Sequence, residues 1–84
     1  MPEQIQRLTH PVRSGANEEF EASVMGEERN DGTWSGWLEF RPMTAGCSTR
    51  RTSQETSQPN RQALAYWASG LEPVYLEGAL ARAK

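Results

Sequence analysis

Apolar and polar positions alternate in two stretches of this chain. Phe20, Ala22 and Val24 interleave with Glu19, Glu21 and Ser23, and Trp34, Gly36, Leu38 and Phe40 interleave with Ser35, Trp37, Glu39 and Arg41. Successive side chains of a strand point to opposite faces, so each stretch predicts a half-buried strand. Asn30-Asp31-Gly32 lies between them and carries the chemistry of a hairpin turn.

The alternation also selects the register. A two-residue Asp31-Gly32 loop sets Val24 opposite Glu39 and mixes apolar with charged positions. A three-residue Asn30-Asp31-Gly32 loop sets Val24 opposite Leu38 and Ala22 opposite Phe40. A one-residue slip moves every side chain to the other face, so the three-residue loop is expected, with Gly32 in the left-handed position. The same register pairs Glu21 with Arg41 and Met25 with Trp37 on the outer face. On the inner face it sets Gly26 against Gly36, a gap that Trp67 from a later helix is expected to fill.

Pro42 ends the second strand, and Thr44-Ala45-Gly46 turns the chain. Residues 47–56 are rich in Thr and Ser and predict a third, edge strand, with a long loop as the alternative. Ser57-Gln58-Pro59-Asn60 opens a helix in which Ser57 is the expected cap and Pro59 lies in the first turn. Leu64, Trp67, Ala68 and Leu71 form its apolar stripe, and Gly70 ends it. Pro73 starts a second helix, from Val74 to Ala83, that buries Leu76 and Leu80; a short strand at Val74-Tyr75-Leu76 is the alternative. Residues 1–17 contain Pro2, Pro11 and Gly15 and show little periodicity, so they read as an irregular arm. The expected fold is α+β. A three-stranded antiparallel sheet packs against one or two C-terminal helices, with residues 18–84 forming one compact domain.

Composition limits what this fold can do. A chain of 84 residues buries roughly 60–65% of the surface its unfolded form exposes, which leaves a thin core. The best core candidates are Phe20, Val24, Leu38, Phe40, Leu64, Trp67, Leu71, Leu76 and Leu80. No surplus apolar surface remains for a deep pocket, and self-association is a common remedy for so thin a core. The net charge of −2 disfavours a general nucleic-acid binder, but the charge is unevenly placed. Residues 18–31 hold six acids and one arginine, and residues 41–61 hold four arginines and one acid. Neutralisation within the folded hairpin accounts for that pattern without a ligand. The single cysteine, Cys47, excludes an internal disulfide. No Cys/His set has zinc spacing, and no segment is apolar enough to span a bilayer. Residues 1–15 lack a signal-peptide core, and a cytoplasmic location is expected.

No catalytic constellation emerges. Cys47 and His10 are the only nucleophile and base that pair, and nothing near them in sequence activates a thiol. Glu19 and Glu21 share a strand face and read as solubilising charges. Phosphate loops and calcium-loop spacing are absent, and no metal or cofactor is implied. The remaining candidate is the outer sheet face, where Trp37 lies with Met25, Arg41 and, from the neighbouring strand, Arg51. Trp and Arg are the residues most enriched in protein hot spots. The same set also suits stacking of single-stranded bases. A third reading is purely structural, with Trp37 covered by the arm through Ile5, Leu8 or Val12, or by a second copy. Tyr66 lies one residue off the helical stripe, its hydroxyl expected to reach solvent or a sheet-edge carbonyl, and Arg61 is expected to extend a basic rim toward Arg50 and Arg51.

Three motifs stand out: Trp34-x-Gly36-Trp37-Leu38-Glu39-Phe40-x-Pro42, Glu55-Thr56-x-Gln58-Pro59-Asn60 and Tyr66-Trp67-Ala68-x-Gly70-Leu71-Glu72. Together they resemble a family of small uncharacterised bacterial proteins over about residues 18–83. The resemblance implies a compact bacterial domain and transfers no activity, ligand or site residue. The function expected from the residues is therefore a non-enzymatic protein-interaction module. It would use the outer sheet face or the edge strand, toward a protein partner or a second copy. A single-stranded nucleic-acid platform and a small enzyme with an unrecognised site are the alternatives.

Overall fold

A computed structural model describes residues 1–43, 45–46 and 48–84. Two long strands form its centre, β3 (Glu19–Glu28) and β4 (Trp34–Pro42). Their register is the one the alternation selects: Val24 faces Leu38, Ala22 faces Phe40, Glu21 faces Arg41, Met25 faces Trp37 and Gly26 faces Gly36. Gly32 closes the loop at φ +89°. The Asp31 carboxylate accepts from the Thr33 hydroxyl at 2.6 Å and from its amide at 3.0 Å. These bonds hold the Asp31 carboxyl below its ordinary value.

The sheet has six strands where three are expected. Each central strand is flanked by an edge that is broken in two. β1 (Glu3–Arg7) and β2 (Val12–Arg13) both pair with β3, and β5 (Arg50–Arg51) and β6 (Thr56–Gln58) both pair with β4, all antiparallel. The segment 1–17, read as an irregular arm, thus supplies two strands. Its alternation is hidden by a register break between Gln4 and Gln6 and by the corner around Pro11. A tight turn then links β2 to β3: the Ser14 amide donates to the Glu18 carbonyl at 2.8 Å, and Asn17 adopts φ +66°. Broken, bulged edges are poor templates for unwanted strand pairing.

The expected third strand is also present in two pieces. Between them the chain bulges at residues 52–55. Thr52 is buried there; its amide donates to the Leu38 carbonyl at 2.9 Å and its hydroxyl accepts from the Leu38 amide at 3.1 Å. Beyond β5 the edge is closed by Lys84, which exchanges two backbone hydrogen bonds of 3.0 Å with Arg51.

Both helices, α1 (Arg61–Ser69) and α2 (Pro73–Arg82), lie on the inner face. The alternative strand at residues 74–76 does not form. The cap of α1 is Asn60 rather than Ser57: its carboxamide oxygen accepts from the Ala63 amide at 2.8 Å. Ser57 is instead part of β6, which draws the helix start three residues later. The core joins Val12, Phe20, Ala22, Val24, Leu38 and Phe40 of the sheet to Leu64, Ala68, Leu76, Ala79 and Leu80 of the helices. Trp67 and Leu71, expected in that core, pack against its margin and stay partly exposed.

The facing glycines are filled by Leu64, not by Trp67. A Cβ on Gly26 would stand 2.5 Å from one methyl of Leu64, and a Cβ on Gly36 2.6 Å from the other. Ile5 and Thr56 close the gap from either side. A branched aliphatic tip divides between two adjacent glycines more readily than a flat indole does. Trp67 turns aside and meets Tyr75 edge-on, with ring centroids 6.2 Å apart.

Candidate interaction surface

The helices leave the outer face of the sheet uncovered by regular structure, and the four predicted residues meet there. Met25 and Trp37 are register partners on β3 and β4. Arg51 on β5 pairs in register with Glu39, two residues from Trp37, and its guanidinium lies 4.9 Å from the Trp37 ring centroid. Arg41, two residues beyond Glu39, is exposed. Met25 and Arg41 also line a shallow groove of about 80 Å³, with Ser23 and Glu39 on its floor and Gln4 and Thr49 at its ends.

Trp37 is covered: only 5% of its surface remains exposed. The cover is not the arm, because Ile5, Leu8 and Val12 pack toward the inner core. The Arg51 guanidinium lies over the indole face, where the ring's negative quadrupole attracts a cation. The covering leaves one polar atom behind. Trp37 Nε1 is fully buried and finds no acceptor among the described residues. A buried N–H without a partner costs about 1–3 kcal/mol.

Most charges on this face are matched. Arg7 pairs with Glu21 at 2.9 Å, and Arg13 with Glu19 at 3.1 Å. Glu19 and Glu21, the candidate acid–base pair, are therefore each engaged by an arginine. Arg41, Arg51 and Glu39 make no ion pair among the described residues. The basic rim expected of Arg61 and Arg50 does not assemble: Arg61 pairs with Glu3, and Arg50 lies over Phe20 with Glu18 at 3.6 Å. Tyr66 is 82% exposed on α1, away from this face. Cys47, the nucleophile candidate, lies outside the described residues, as does the turn position Thr44.

A second constellation was not visible in the reading of motifs. The bulge at residues 52–55 sends Glu55 to the inner side, where its side chain is 5% exposed. Its carboxylate accepts from the Tyr75 hydroxyl at 2.5 Å and from both Arg82 terminal nitrogens at 2.9 and 3.2 Å. Burial pushes the Glu55 carboxyl up; the bonds from Arg82 and Tyr75, with the Arg82 charge, outweigh it and hold the group below its ordinary value. Tyr75 is raised by burial and by Glu55, and Arg82 is raised by the bonds to Glu55. Tyr75 and Arg82 stand two helical turns apart on α2, a spacing that puts both on one face. That spacing was the available signal. The acid they clasp comes from a bulge that no local pattern marks.

The molecule has no helix long and apolar enough to cross a membrane, among the described residues. Comparisons with protein-family models, with curated proteins and with solved structures each found no match to this chain.

Proposed function

We propose that this domain is a non-enzymatic protein-interaction module whose contact surface is the outer sheet face around Trp37, Arg51 and Arg41. The observation that supports the reading is the buried N–H of Trp37, which has no partner among the described residues, beneath an arginine that makes no ion pair among them. Unsatisfied buried donors are rare in folded proteins. Here an approaching carbonyl or carboxylate finds two unpaired guanidinium groups, and displacement of Arg51 opens an indole donor behind it. Met25 supplies an apolar contact at the edge of a groove whose other lining is polar. The edge-strand version of the idea is not supported at β5, where Lys84 occupies the pairing positions. Base stacking needs an open ring face, and the Trp37 face carries Arg51.

Affinity capture from cells that express the chain tests the proposal, using wild type, Arg41→Glu and Arg51→Glu, with Tyr66→Ala as a control away from the face. A polypeptide held by wild type and by Tyr66→Ala, and recovered at least about tenfold less by both charge reversals, is the expected outcome. Identical recoveries from all four would overturn the choice of face.

A further inference from the structure

A separate surface, independent of the outer face, lies where the corner between β1 and β2 meets the start of α2. An apolar trough runs there in two lobes of about 160 and 120 Å³ that share His10, Pro73 and Leu76 as walls. Its strand bank runs from Arg7 at one end to Arg13 at the other. Its helix bank runs from Leu71 to Glu77. The banks differ in charge. Arg7 and Arg13 have side chains 65% and 58% exposed; Arg7 spends one contact on Glu21, and Arg13 one on Glu19 and a second, at 3.3 Å, on the Asn17 carboxamide oxygen. A guanidinium has five N–H donors, so each can serve a second carboxylate. Glu72 and Glu77 are exposed on the helix side and make no ion pair among the described residues. Between them Val74 is 78% exposed.

We infer that this trough is the interface of a two-fold dimer of this chain, with the symmetry axis running along the trough. Charge complementarity identifies the occupant and selects the axis. Two copies facing each other across an axis perpendicular to the trough would place basic bank on basic bank. An axis along the trough keeps its ends together and exchanges its banks. Arg7 then meets the partner's Glu72, Arg13 meets the partner's Glu77, and symmetry repeats each pair. Val74, exposed beside the trough-lining Pro73, lies at the rim of the contact and loses exposure against the partner. The contact adds apolar burial that a thin core lacks.

Sedimentation equilibrium from about 1 μM to about 1 mM, the span of weak to moderate affinities, reads the association directly. Wild type forms dimers in that range. Val74→Glu, Arg13→Glu and Glu77→Arg each raise the dissociation constant at least about tenfold. Mixing is the decisive arm. Arg13→Glu alone faces acid with acid, and Glu77→Arg alone faces base with base, but an equimolar mixture of the two restores both pairs and returns the heterodimer. Arg7→Glu mixed with Glu72→Arg repeats the test at the other end and replaces the first pair if Arg13→Glu loses its folded spectrum. A wild type that stays monomeric, a dimer indifferent to Val74→Glu, or mixtures no tighter than their components would overturn the inference.

Discussion

On the inner face of β4 the space over Gly36 is filled by a leucine; at the next residue, on the outer face, Trp37 is capped by an arginine. Both arrangements exclude water. The inner one does so by interlocking aliphatic groups that leave nothing polar behind: the two Leu64 methyls occupy the spaces that Gly26 and Gly36 leave open. The outer one places a charged group on the ring and leaves an indole N–H without an acceptor among the described residues. The difference separates a surface complete in itself from one with an unspent donor. It also predicts opposite sensitivities to substitution on the two faces of one strand.

The largest effect belongs to the inner face. Leu64→Ala should cost about 3–4 kcal/mol, because it removes a fully buried side chain and opens a cavity over two glycines that cannot close it. Gly36→Val fails for the opposite reason. Its first added carbon would sit 2.6 Å from a Leu64 methyl and 2.9 Å from the Thr56 methyl, and overpacking of that kind costs about 2–3 kcal/mol. In the Leu64→Ala background the cost of Gly36→Val should fall by at least about 1 kcal/mol, since the clashing methyl is gone. Urea titrations of the two single variants and the double variant measure this coupling. Strict additivity would break the claim that leucine and glycine are one unit.

A smaller effect is expected at the bulge, where neighbouring residues go to different faces. Glu55 turns inward to Tyr75 and Arg82, while Gln54 turns outward and accepts from the Ser35 hydroxyl at 3.0 Å and from Arg29. Glu55→Gln should cost about 1–2 kcal/mol, as charge-assisted bonds to a shielded carboxylate are lost. The cost stays below that of a fully buried pair because the Arg82 side chain is 55% exposed and water can serve it. Gln54→Ala should cost less than about 0.5 kcal/mol, as exposed positions do. The Glu55 carboxyl titrates below its ordinary value in the folded chain. Its stabilisation is complete above the ordinary glutamate range and disappears as pH falls through the folded value. Tyr75 and Arg82, both raised, keep their protons throughout. Denaturation midpoints taken from neutral pH into acid should therefore fall more steeply in wild type than in Glu55→Gln. Parallel curves would show that the clasp contributes nothing.

What the sequence made legible divides along the same line. The central hairpin was readable to the residue, because its inner face is buried and a slip would expose Phe20, Val24, Leu38 and Phe40 together. Helix α2 was readable from Pro73, and the core stripe of α1 from Leu64 and Ala68. The edges were not. Glu3-Gln4-Ile5-Gln6-Arg7 has one apolar residue, and a register break at that residue erases its period. Residues 50–58 pair with β4 twice, but the bulge between the pairings takes Thr52 and Glu55 out of any alternation. The four residues of the candidate surface were legible as a set, since register alone brings Met25 to Trp37. A covered Trp37 was one of the readings, but the arm was its expected cover; an arginine on the neighbouring strand β5 lies over the ring instead, and nothing in the alternation marks it. Volume alone points to Trp67 for the glycine gap, whereas the shape of two facing glycines admits the forked tip of Leu64.

The smallest expected change is the one that most sharpens the comparison. Trp37→Phe keeps an aromatic ring under Arg51 and removes the N–H. If that donor is unpartnered, its loss relieves the desolvation cost, offsetting the area lost with the smaller ring. Stability should then move by less than about 1 kcal/mol in either direction. Arg51→Ala should cost about 0.5–1 kcal/mol, the value of a partly exposed cation–π contact. The two changes then combine informatively. A stability loss of about 2 kcal/mol or more in Trp37→Phe would mean that the N–H has an acceptor in solution and that the outer face is as complete as the inner one. A near-neutral Trp37→Phe that nevertheless weakens capture of the partner assigns the donor to binding, because a group idle in the free protein can affect only the complex.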